Sequence, residues 1–398
     1  MTERIYYVDS AARTFTARVE SVTQTDGRTL VRLDRTAFYP TSGGQPFDTG
    51  TLGAARVVDV FDDTDGAGGD VIHAVEGRAP AAGETVDCAV DAARRFDHMQ
   101  QHTGQHMLSA AFDTLFDTAT VSFHMGAEVS TIDLAHPASA EQIAAAEREA
   151  NRVVWEDRSV SVRFVTDADI PNLPLRKPPK VTGTIRLVDI NGWDLSACGG
   201  THVAATGAVG MIAVTSVEKF KGGSRVEFVC GSRALARFHE FRDVQADVSR
   251  ALSTAGREIH GAVQRLLDEA KEQRRSAAAM QLELARYRAQ ELAAGAETVG
   301  RVRAVLQSID ADAGGLKAMA SAITCQPGMA VVLVSTSLPA LAVVARSADV
   351  DLRANELLAG LIAKFGGRGG GKPDLAQGGG LNAPSADVLA EAHRLIPR

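Results

Sequence analysis

Two histidines four positions apart, His102 and His106, lie in the run AARRFDHMQQHTGQHMLSAAFDTLF, where Met99, Met107, Leu108, Ala111 and Leu115 recur at helical spacing. On a helix this spacing puts both imidazoles on one face, where they can grip a single ion. Further along, Cys198-Gly199-Gly200-Thr201-His202 offers a thiolate and a third imidazole at loop-compatible spacing, with two glycines that let the backbone wrap the ion. Either pair alone is also what ordinary core or surface residues produce. Taken together, the donors form a tetrahedral zinc set, and the expected cofactor is zinc, one per chain.

Neighbouring zinc classes are excluded by what flanks the histidines. Zincins place a Glu after the first His, where this chain has Thr103; the inverted motif places a Glu before the second, where it has Gln105. An amide cannot act as a general base, so the helix carries none. Four protein donors are also the count of a closed structural site. Catalysis therefore requires one of them, for which His202 is the choice, to yield to water, or the ion to become five-coordinate. His98, four residues before His102, reads as a surface histidine or as a group that supports a ligand or meets substrate.

The elements that must position these groups fall into four stretches. Residues 1–90 alternate as short strands (TFTARVESV, RTLVRLDRT, AARVVDVF, VIHAV) between Gly, Asp and Pro turns, which predicts a small β-barrel-like domain. Residues 91–242 combine the histidine helix, a second helix opened by Ser139 as N-cap, and strands VSVRFV, TIRLVDI, GMIAVTSVEKF and SRVEFVCG, an α+β domain. Residues 243–295 contain no proline and carry an apolar seam interrupted at Glu269 and Gln273, which predicts a helical stalk or antiparallel pair. Residues 296–398 read as a small α/β domain with a Gly-rich loop, GGRGGGKPDLAQGGG. The fold class expected for the whole is α+β.

With 398 residues, 45% hydrophobic and 23% charged, the chain is long enough for several cores. Four scattered cysteines do not make a disulfide scaffold. No apolar run is long enough for a membrane span and the N-terminus lacks a signal-peptide pattern, so a soluble cytoplasmic protein with no membrane partner is expected. A net charge of −7 argues against nonspecific nucleic-acid binding. Local basic groups (Arg94 and Arg95; Arg176, Lys177 and Lys180; Lys219, Lys221 and Arg225; Lys364, Arg368 and Lys372) read as solvated runs or as binding patches.

HTGQH followed by CGGTH resembles the zinc-binding editing domain shared by alanyl-tRNA synthetases, free-standing AlaX proteins and, more distantly, threonyl-tRNA synthetases. DRTAFYPTSGGQPFDTGTL resembles the Gly-rich segment before that domain, RLVDINGWDLSACGGTH its strand into the second ligand pair, and FGGRGGGKPDLAQGGG the C-terminal DHH-associated domain of alanyl-tRNA synthetases. The sequence has no counterpart of the large aminoacylation domain, so the resemblance is to the longer AlaX type.

The resemblance implies that His102, His106, Cys198 and His202 are zinc ligands at a catalytic site. It also implies that Ser42, Gly43, Gly44 and Gln45 shape amino-acid choice, and that Ser122 or His124 faces the amino-acid side chain. Thr201 is a further candidate for that contact. Gln105, where many relatives carry a small or apolar residue, either approaches the substrate or faces solvent. The implied activity is hydrolysis of the ester in mischarged alanine tRNA, chiefly with serine and also glycine as the wrong amino acid, the ribose hydroxyl being one candidate for moving the proton. The implied partner is tRNA(Ala), with a homodimer through the stalk and C-terminal domain as a further expectation. Two rivals stand beside this: a tRNA-binding module stapled by structural zinc, and an editor of another aminoacyl-tRNA such as that of the threonine system.

Overall fold

A computed structural model describes residues 1–63, 69–300 and 302–396. The chain divides into two compact units, Met1–Asp247 and Val248–Arg398.

The first unit opens with a closed barrel of six strands: β1 (Thr14–Thr25), β2 (Arg28–Leu33), β3 (Gly50–Leu52), β4 (Ala55–Asp62), β5 (Val71–Glu76) and β6 (Thr85–Val90). Around the barrel they run β1-β2-β5-β4-β3-β6. Alternation drives the closure, since Ala17, Val19, Val31, Leu33, Val57 and Val86 turn inward with Phe38 and Leu52 to form one core. The barrel joins helix α1 (Ala92–Phe116), whose N-cap Asp91 accepts the amides of Ala93 and Arg94.

One turn into that helix, fully buried Arg95 pairs with fully buried Asp48. Arg95 Nη1 also donates to Ser10 O at 2.9 Å, and Asp48 Oδ2 accepts the Tyr39 amide at 2.7 Å. The pair thus locks the segment after β2 onto the helix that carries the histidines.

Past α1, β7 (Thr120–Met125) and β8 (Ser130–Leu134) form a hairpin, and α2 (Ala140–Trp155) starts with a complete Ser139–Gln142 capping box. A three-stranded antiparallel sheet follows, made of β9 (Val160–Thr166), β10 (Thr184–Ile190) and β11 (Asp194–Ala197). Strands β12 (Ile212–Phe220) and β13 (Gly223–Cys230) complete a four-stranded sheet in the order β12-β13-β8-β7. Met107, Leu108, Ala111 and Phe112 of α1 and Ala146, Ala150 and Val153 of α2 share a core with Ile132, Val226 and Phe228 of that sheet. Helix α3 spans Gly231–Ala251.

In the second unit, α4 (Ile259–Ala294) leads into a six-stranded mixed sheet: β14 (Glu297–Val299), β15 (Val302–Ile309), β16 (Met329–Ser335), β17 (Ala340–Arg346), β18 (Arg368–Gly371) and β19 (Leu375–Leu381), in the order β14-β15-β16-β17-β19-β18. One face packs on α5 (Ala313–Ile323) and the end of α4, the other on α6 (Ala354–Phe365) and α7 (Ser385–Leu395). Residues 301, 397 and 398 of the stretch read as the C-terminal domain lie outside the described residues.

The helical stretch consists of two helices separated at 252–258, around Gly256, the second running through Glu269 and Gln273. One expectation is corrected here. The Gly-rich stretch is not a loop but the β18–β19 hairpin, in which Gly369 faces Gly378. A Cβ on Gly369 would stand 2.4 Å from Gly378 Cα, so glycine here permits close strand contact. No helix among the described residues is long and apolar enough to cross a membrane.

Candidate metal centre

Helix α1 presents His102 and His106 one turn apart, and β11 delivers the chain into the Cys198–His202 loop directly opposite. The four donors His102, His106, Cys198 and His202 offer ligand atoms that all lie within 4.8 Å of one another. Cys198 Sγ is 3.4 Å from His102 Nε2 and 3.3 Å from His202 Nε2. Gly200 makes the approach feasible, because a Cβ there would stand 2.1 Å from His102 Cε1.

Each imidazole is held through Nδ1, which leaves Nε2 for the centre of the cluster. His102 Nδ1 lies 2.8 Å from Gln45 Oε1. That oxygen also accepts the Thr201 amide at 3.2 Å while Gln45 Nε2 donates to Thr201 Oγ1 at 2.9 Å, so the amide orientation makes His102 Nδ1 the donor. His106 Nδ1 donates to Asp194 Oδ2 at 2.8 Å. His202 Nδ1 stands 3.1 Å from Thr103 Oγ1. Partners of this kind fix tautomer and ring orientation in metal sites.

Electrostatics follow from burial and these pairings. Burial alone would raise the Cys198 thiol, but His102 and His202 beside it hold it well below the ordinary thiol range. Burial pushes His202 down to about 3 against the opposing pull of Cys198. Burial also works against the charged form of His106, yet Asp194 and Cys198 raise it to about 9. Asp194 itself is held below the usual carboxylate range despite burial, by His106 and then by Arg176, whose Nε donates to Oδ1 at 2.7 Å. Ser196 Oγ donates to the same carboxylate at 3.0 Å. The arrangement can therefore offer three imidazole nitrogens and a thiolate to one divalent ion.

The remaining candidates divide. Ser42 to Gln45 form a turn closed by hydrogen bonds in both directions between Ser42 and Gln45, with positive φ at Gly43 and Gly44. Gly44 O accepts the Met125 amide at 2.9 Å, which docks the turn on β7. Of these four residues, Gln45 is the one that contacts a histidine of the cluster; Ser42 and Gly43 are exposed. Thr201 is fully buried and engaged with Gln45.

Ser122 and His124 are not brought to the cluster. Along β7 it is Phe123 whose ring reaches His102, at 5.4 Å between centroids, so its two neighbours project from the opposite face and are exposed. Ser122 instead donates to Asp133, which pairs with Arg225.

Gln105 does not face solvent: it is buried and donates to Ser109 Oγ at 2.8 Å. His98 is no surface residue either. It is 3% exposed, its Nδ1 lacks a partner, and burial followed by Arg94 lowers it to about 4. Residues that the motif reading missed are Asp194, Arg176 and Thr103. A signal for Asp194 existed, since Asp194, Ser196 and Cys198 share one face of an extended segment, but carboxylates in that setting are common.

Comparison with known proteins places three family models along the chain: tRNA synthetases class II (A) on residues 5–94, the Threonyl and Alanyl tRNA synthetase second additional domain on 185–227, and the DHHA1 domain on 301–396. The chain is 34% identical to an alanine–tRNA ligase of Natronomonas pharaonis over 98% of its own length and 43% of that protein. Against an alanine–tRNA ligase of Pyrococcus abyssi the identity is 32%, over 95% of this chain and 42% of that one. The chain thus spans less than half the length of these ligases. Against the alanyl-tRNA editing protein AlaX-L of Pyrococcus horikoshii it is 31% identical, covering 95% of this chain and 94% of the other.

Proposed function

Because the chain belongs to the family of the alanyl-tRNA editing protein AlaX-L, we propose that it is a hydrolase that removes wrongly attached amino acid, chiefly serine, from alanine tRNA, at a zinc ion held by His102, His106, Cys198 and His202. The observation that carries this reading is the convergence of those four donors, each imidazole held at Nδ1 by a different residue. Three imidazole nitrogens and a thiolate suit zinc in number and type. When bound, zinc would supply Lewis-acid chemistry toward an ester carbonyl or a water molecule.

The chain's own residues do the rest. Asp194, itself held by Arg176 and Ser196, keeps the His106 ring in one orientation; Gln45 and Thr103 do the same for His102 and His202. Phe123 walls the cluster on the β7 side. In the reaction, water adds to the ester carbonyl carbon, the bond to the terminal ribose oxygen breaks, and that oxygen takes the proton. Gln105, tied to Ser109, is no base.

A second reading is favoured by one specific feature: four protein donors are the complement of a structural zinc. It predicts metal without turnover. The test is deacylation of seryl-, glycyl- and alanyl-tRNA(Ala), with seryl-tRNA of the threonine system alongside. Release of serine from tRNA(Ala) supports editing, and turnover confined to the threonine tRNA would transfer the activity to that system. Full zinc content with no release from either tRNA would leave the structural role.

A further inference from the structure

The loop joining β9 to β10, residues 167–183, passes close to the cluster and carries cations that the metal centre does not use. Its path is set by side chains and prolines. Ile170, Leu173 and Leu175 pack on a small core of Ile185, Leu187 and Leu195, and Pro174, Pro178 and Pro179 stiffen what lies between. Arg176 is pinned to β11 by its amide, which donates to Leu195 O at 3.1 Å, and by its guanidinium on Asp194 and Ser196. The next residue, Lys177, is thereby held beside the strand that runs into Cys198.

Lys177 and Lys180 are exposed and have no carboxylate partner among the described residues. The acids of the same loop are engaged at its base: Asp169 accepts the amide and hydroxyl of Thr166, and Asp167 accepts the Gly183 amide. Behind the cluster, Arg186 is buried and likewise lacks a carboxylate. It donates to Tyr7 O at 2.9 Å and to Cys198 O at 2.6 Å, and its Nη2 is unpartnered. Asp194, on the strand beside Lys177, is already shared between His106 and Arg176. Partial burial, then the neighbouring Arg176 and Lys180, lower the Lys177 ammonium against the opposing pull of Cys198 and Asp194. In a chain whose net charge is −7, this is a local positive excess at the edge of the metal centre.

We propose that Lys177 and Lys180 bind the phosphodiesters of the single-stranded 3′ end of the RNA substrate and so seat its terminal ribose against the cluster. The inference rests on the proposed editing function for the identity of the RNA. Phosphate contacts of this kind position a ligand without reading sequence, and they make binding salt-dependent. The prolines matter because a rigid mount spends less ordering entropy on binding than a free loop.

The test uses the full chain and an uncharged acceptor-stem minihelix with its single-stranded 3′ end, against the same minihelix without that end. Lys177→Ala with Lys180→Ala should weaken binding of the overhanging probe by about tenfold and flatten the slope of log affinity against log salt by roughly 1.4, the value for two single-strand phosphates. Binding of the blunt probe and zinc content should be unchanged, and Lys177→Arg with Lys180→Arg should restore affinity. Unchanged affinity and slope, or an equal loss on both probes, would overturn the proposal. Because the probe is uncharged, binding is read independently of hydrolysis. Failure of the intact chain to release serine would contradict the editing function and leave the RNA result standing on its own.

Discussion

Gln45 Oε1 and His102 Nδ1 lie 2.8 Å apart, so a residue from the segment after the barrel's second strand orients a histidine of the candidate metal centre on helix α1. Replacing Gln45 by Ala frees the imidazole to rotate and leaves Thr201 without its partner. Zinc affinity should fall by about 10- to 100-fold, as for other residues that hold metal ligands, with the fold retained. Competition with a chromogenic chelator measures this; unchanged affinity would mean that Gln45 acts elsewhere.

Cys198→Ala removes the anionic donor of the set and should lower zinc content below the expected one ion per chain. Elemental analysis of the purified variant gives the answer, and full occupancy would remove Cys198 from the ligand set.

Proton linkage gives a third prediction. His106 is raised to about 9 in the metal-free chain, so at neutral pH it carries a proton that a metal must displace. Zinc affinity should therefore rise by about tenfold per pH unit through that proton between pH 7 and pH 9. Stability of the metal-free chain runs the other way. A histidine raised above its unfolded value of about 6.5 contributes fully below that pH, and the contribution disappears as pH rises through 9. Calorimetry in buffers of different ionisation enthalpy would register the released proton, and pH-independent binding would contradict the assignment.

Asp194→Asn keeps the shape but leaves Arg176, largely buried, without its charge partner. Breaking such a buried pair costs about 3–5 kcal/mol. A fall in denaturation midpoint together with weakened zinc binding is expected. Ser122→Ala and His124→Ala are the contrasting case. Both side chains lie on the far face of β7 from Phe123, so deacylation rates and the choice between serine and alanine should stay within about twofold of the parent, in the range of ordinary surface substitutions.

What could be read before the structure followed from local periodicity. The barrel strands, the histidine helix and the Ser139 cap each carry their signal within a few residues. The four donors are legible because histidines four apart occur together with a Cys–Gly–Gly–Thr–His segment, although neither pair alone would carry the reading. Their supports are not. Gln45, Thr103 and Asp194 reach the cluster from three separate segments, and only tertiary packing decides which polar side chain meets which Nδ1. Which residue of β7 faces His102 is likewise hard to read from the sequence, because a strand's two faces exchange with a shift of one residue, and here it is Phe123 rather than Ser122 or His124. The Gly-rich hairpin was misread because glycine signals both loops and close strand contact.

The most direct test of the central claim compares release of serine and of alanine from alanine tRNA by the zinc-loaded chain. An editing site that hydrogen-bonds the serine hydroxyl leaves its own polar group unpaired when alanine enters, and such sites can reject the analogue by roughly 10⁴-fold. Rapid release of serine and negligible release of alanine are expected. Equal rates on the two would contradict it.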